Sequence, residues 1–82
     1  MTGRVYSTTY EIERARALWE KAVFLAERTE GFHTRKLYQL HDIYLEVVWH
    51  THFNVALKVI AFDDMESLEP YLKAISLEGL LG

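Results

Sequence analysis

Apolar residues recur at three- and four-residue spacings through the first third of the chain and crowd into near-continuous runs through its middle. Ile12, Ala15, Trp19, Ala22, Val23 and Ala26, widened by Leu18 and Leu25, form one stripe, while Glu13, Arg14, Glu20, Lys21 and Glu27 cover the other side. That is the pattern of an amphipathic helix. Thr8 and Glu11 stand three apart, as a capping box requires. Gly31 offers the left-handed conformation that closes many helices. The pattern therefore predicts a helix over about 8–30, after a short lead of Met1 to Ser7.

From Arg35 the composition turns to Val, Ile, Leu and Tyr, interrupted at His41-Asp42 and at Thr51 to Asn54. Three strands follow, at about 35–40, 43–50 and 55–62. They are antiparallel, because the breaks are too short for a parallel crossover. With Glu46 opposite Lys58, Ile43, Leu45, Val47 and Trp49 share a face with Val55, Leu57, Val59 and Ala61, which makes that face the expected core. Asp63 or Asp64 then caps a second helix over about 64–75, Glu66 completing a capping box with Asp63. Pro70 implies a kink there or a later start. The stripe Leu68, Leu72 and Ile75 docks this helix beside the first, and Leu77, Leu80 or Leu81 of the tail tucks in behind. The fold class expected is α+β: helix, three-stranded antiparallel meander, helix, with both helices on one sheet face, in a single domain over 1–82.

Size and composition narrow the function. Eighty-two residues, 50% hydrophobic and 13% aromatic, suit one folded domain with a thin core that gains from association. There is no cysteine, so disulfides, thiolate metal sites and cysteine nucleophiles are excluded. The net charge of −3 comes without a basic stripe, so nucleic acid is not the expected partner. No apolar run approaches the roughly 18 residues that span a bilayer and no leader pattern opens the chain, so the expectation is a cytoplasmic protein without membrane contact.

Two groups of residues suggest chemistry. His50 and His52 form an H-x-H pair, and a tight turn at His41-Asp42 brings His33 opposite His50, so three imidazoles could gather as metal ligands at one end of the sheet. At the other end His41, Asp42, Asp63 and Asp64 could pair a base with carboxylates. Turn, cap and surface roles explain both groups more simply, so neither a metal nor another cofactor is assigned. No phosphate-loop, nucleophile-elbow or H-E-x-x-H motif is present, and an enzyme is not the expectation. The sharper signal is the second sheet face, where Tyr44, Val48, Ile60 and Phe62 surround the Glu46–Lys58 pair. This face is too apolar to stand open to water. It implies a cover: a second copy in a homodimer, another protein, or the chain's own tail or Val5-Tyr6 segment. The reading is a non-enzymatic interaction or regulatory module using this outer face. The alternative is a small-molecule or metal-binding protein using His33, His50 and His52, or the His41 and Asp63 end.

Leu37 to Val47, Asn54, Ala61-Phe62 and Leu68-Glu69-Pro70-Tyr71-Leu72 together resemble short bacterial proteins of uncharacterised function. The resemblance implies a bacterial cytosolic origin. It brings no set of functional residues with it.

Overall fold

The computed structural model describes residues 4–71. In chain order these form β1 (Arg4–Tyr6), α1 (Thr9–Trp19), β2 (Val23–Glu30), β3 (His33–Leu40), β4 (Ile43–His50) and β5 (Val55–Phe62), followed by a 3-10 turn at Glu66–Leu68. The strands make one antiparallel sheet in the order β1-β5-β4-β3-β2. The meander thus has four strands rather than three, and β1 closes it as a fifth. The expected helix–three-strand–helix arrangement does not hold.

The helix starts where the local signal placed it. Thr8 Oγ1 accepts from the Glu11 N–H at 3.1 Å, and Glu11 Oε1 accepts in return from the Thr8 and Ser7 N–H groups, each at 3.2 Å. Those backbone bonds, the one from Thr8 foremost, hold the Glu11 carboxyl below the usual range. The helix buries Ile12, Ala15 and Trp19 and stops at Trp19, eleven residues short of the expected end near Glu30. Residues 23–30 become a strand instead, because β2 has a partner that a helix would forfeit. It pairs with β3 from Val23↔Gln39 to Glu30↔His33, with the Phe24 and Tyr38 rings edge-on at 5.6 Å. Gly31 (φ 62) does adopt the left-handed conformation, but it turns the β2–β3 hairpin rather than closing a helix. Tertiary pairing has overridden a helix-compatible spacing.

β1 and β2 lie at opposite edges of the sheet, so α1 must cross all five strands. Eleven residues of helix reach about 16 Å, close to the roughly 19 Å between edge strands four spacings apart. On the face that α1 covers, Ile12, Ala15 and Trp19 pack with Leu45, Val47 and Val59. Trp19 meets Trp49 edge-on at 6.2 Å, and Lys36 lies 5.4 Å above the Trp49 ring. The expected grouping of Val55 and Leu57 with this core is corrected by a bulge. Val48 pairs with Lys58 but Trp49 with Ala56, so Leu57 is the extra residue on β5. Ala56 turns towards the core, and Val55 and Leu57 are left 52% and 39% exposed.

Of the second expected helix, over about 64–75, the described residues show the 3-10 turn at Glu66–Leu68 and helical residues 69–71. Asp64, not Asp63, caps the turn, accepting from the Ser67 N–H at 3.0 Å and from the Ser67 hydroxyl at 2.9 Å. The hydroxyl bond leads in holding the Asp64 carboxyl below its usual value. The chain then passes Leu68 and Tyr71 over the sheet face opposite α1, where they pack with Leu37 and Phe62. Helical elements therefore sit on both faces, not one. The expected packing of Leu72, Ile75, Leu77, Leu80 and Leu81 falls outside the described residues.

Candidate functional site

The outer sheet face, opposite α1, was expected to centre on a Glu46–Lys58 pair. The register instead sets Glu46 opposite Ile60 and Lys58 opposite Val48. Glu46, only 8% exposed, is met by groups from three other segments. Arg35 of β3 donates from Nη1 to its Oε1 at 3.2 Å, the Tyr71 hydroxyl donates to Oε2 at 2.6 Å, and Arg28 Nη2 of β2 lies 4.0 Å from Oε2. The Arg28 guanidinium stacks over the Tyr71 ring at 5.2 Å. Glu30, at the rim, lies 3.2 Å from Arg28 Nη1 and 3.5 Å from Arg35 Nε. Burial, then the bond to Glu46, pushes the Tyr71 phenol well above the ordinary tyrosine value.

Sequence reasoning missed Arg28, Arg35 and Tyr71. Arg28 and Arg35 stand directly across the β2–β3 hairpin from each other, symmetric about Gly31-Phe32. Reading that glycine as a hairpin turn would have found them. Tyr71 carried no local signal, because its partner is 25 residues away.

Next to the arginine pair, one same-face rung further along the hairpin, lies the Ala26–Leu37 pair. It floors an apolar groove of about 290 Å³ walled by Leu25, Tyr44, Leu68 and Tyr71. Of the four residues expected on this face, Val48 and Phe62 are buried, at 1% and 5% exposure. Tyr44 and Ile60 are half-buried and pack with the same cluster as Leu68 and Tyr71. The chain itself supplies part of the cover for which the sequence called.

At one end of the sheet His33 and His50 do pair across β3 and β4, but β4 ends at His50 and His52 lies in the turn. The His50 Nδ1 atom accepts the N–H groups of His52 at 3.2 Å and Phe53 at 3.3 Å, and so organises the β4–β5 turn. Among the described residues no group of three or more His, Asp or Glu is placed to hold a metal ion. At the other end His41 (φ 55) and Asp42 form the β3–β4 turn, and Asp64 caps the 3-10 turn.

Exposed apolar residues are spread over the molecule, at Phe32, Phe53 and Val55 among others, but on β2 they are consecutive. Val23, Phe24 and Leu25 follow one another on β2, 64%, 51% and 44% exposed. Among the described residues β2 is an edge strand, paired on one side only. The described residues thus define an α+β domain with a five-stranded antiparallel sheet, a bare apolar edge and a half-roofed outer face. No helix among them is long and apolar enough to cross a membrane. No family model, curated protein or solved structure matches the chain.

Proposed function

We propose that this chain is a non-enzymatic interaction module that associates with a second copy of itself through the free edge of β2. The observation that carries the reading is the consecutive exposed run Val23-Phe24-Leu25 on an edge that no other described strand pairs. Proteins ordinarily blunt such edges with charge, proline or shortness. The opposite edge, β1, follows that rule: it has three residues, one of them Arg4. β2 has eight, its charges lie in the second half, at Glu27, Arg28 and Glu30, and a bulge at Leu25 is the one blunting device within its apolar run.

Antiparallel self-pairing about a twofold axis near Phe24 lays the apolar runs of two copies on each other. Glu20 and Lys21 of one copy then run alongside Glu27 and Arg28 of the other, so opposite charges can meet. Light scattering over a wide concentration range tests the reading. A dimer is expected, with Phe24→Asp monomeric and still folded. Lys21→Glu should weaken association, and the double variant Lys21→Glu with Glu27→Lys should restore it. A wild type that is monomeric at every concentration would overturn self-association. A dimer indifferent to Phe24→Asp would move the interface off β2.

A further inference from the structure

We propose that the outer-face groove binds a small carboxylate with a short apolar body, its carboxylate replacing that of Glu30 between Arg28 and Arg35. Edge pairing through β2 leaves both sheet faces open, although it brings a second copy alongside Leu25 and Arg28, which border this site as well.

Three observations carry the proposal. The groove, about 290 Å³, is lined mostly by apolar and aromatic side chains, with Gln39 the polar exception, and is near the lower end of the sizes that take small ligands. Its floor, Ala26 and Leu37, occupies the rung next to the Arg28–Arg35 pair, and its wall Tyr71 carries the Arg28 guanidinium over its ring. The guanidiniums thus border the groove rather than line it, and a ligand's head group must reach past the Tyr71 edge to meet them. Most telling is the charge balance there. Glu46 is buried and bound to Arg35 and Tyr71, and it compensates one guanidinium from beneath. The second is compensated by Glu30, whose side chain is 63% exposed.

Planar guanidinium forks favour carboxylates. An exposed ion pair, however, is weak and easily exchanged. A ligand carboxylate can take over the same contacts while its apolar part leaves water in the groove, a gain Glu30 lacks. The Arg28 and Arg35 side chains are 28% and 21% exposed, so a rim ligand can reach them. Glu30 is then a placeholder, and the buried Glu46 and Tyr71 keep both guanidiniums aimed when it leaves.

The test is an amide-shift NMR titration of the ¹⁵N-labelled chain with 3-phenylpropionate, and with 3-phenylpropanol as the neutral control. Saturable shifts are expected at Ala26, Leu37 and Tyr71, with the alcohol at least about tenfold weaker, as loss of a charge-assisted bond implies. Glu30→Gln should tighten binding by up to about fivefold, the worth of the exposed pair it removes. Arg28→Gln should weaken it about tenfold or more while the spectrum stays dispersed. If that variant does not fold, the Glu30→Gln and alcohol comparisons still decide. Equal binding of acid and alcohol would overturn the proposal. So would shifts that map away from the groove, no saturable shift at millimolar ligand, or a Glu30→Gln variant no tighter than wild type.

Discussion

Glu46 stands among Leu37, Val48 and Phe62, where an uncompensated charge would cost several kcal/mol, and Tyr71 is one of the groups that make its position tolerable. Removing only that hydroxyl, in Tyr71→Phe, should lower stability by about 1.5–3 kcal/mol, the range for a hydrogen bond to a charged group, measured by urea denaturation. The bond also fixes a pH dependence. Because the Tyr71 phenol is raised in the folded state, its contribution is complete below the ordinary tyrosine value of about 10 and is lost as the pH rises beyond it. Tyr71→Phe should flatten the alkaline fall. Glu11 and Asp64 act in the opposite sense. Their carboxyls are lowered by hydrogen bonds, so their contribution is present above about pH 4 and fades as the pH falls through the lowered values. His41 carries a different cost, a side chain in the left-handed region without glycine's freedom. His41→Gly should raise stability by about 0.5–1 kcal/mol, visible as a higher urea midpoint with an unchanged slope. The same substitution tests whether this histidine has any role beyond the turn.

At the scale of elements, what could be read from the sequence was what adjacent residues decide. The Thr8–Glu11 box is a contact three residues long, and it formed. β4 and β5 occupy the predicted 43–50 and 55–62, because both faces of those strands are apolar and polar breaks bound them. β2 was illegible for the opposite reason. Ala22, Val23 and Ala26 satisfy helical spacing, and only a partner beyond Gly31 makes a strand the better choice. The same dependence on distant partners hid the Leu57 bulge, and with it the correct register of Glu46. The outer-face residues Tyr44, Val48, Ile60 and Phe62 were recognised as needing a cover, while the side that Leu68 and Tyr71 would choose was not written in the 64–71 segment. α1 offers a check on its own docking. Trp19→Ala should cost about 3–5 kcal/mol, whereas Thr8→Ala should cost only about 1 kcal/mol, both by thermal or urea unfolding.

For the molecule as a whole, the two proposals fall on two different surfaces. The β2 edge carries an exposed apolar run with a bulge at Leu25, while the outer face is notched between the sheet and the 66–71 segment. If both proposals hold, a dimer would carry two grooves on the same side of a continuous ten-stranded sheet. Phe24→Asp should then separate the copies and leave saturable 3-phenylpropionate binding in place, any change in affinity reading the coupling through Leu25 and Arg28, which border both sites.

The placement of β1 bears on the order in which the chain assembles. Arg4 pairs with Ala61 across nearly the whole described length, whereas each hairpin from β2 to β5 closes through a short turn. The loop that β1 must close is the costliest in entropy and is repaid by only three residues of pairing. The meander therefore forms first and the N-terminal strand zips on last. Amide protons of β1 should exchange with solvent far sooner than those of the central β4, so this edge is the point from which the molecule opens.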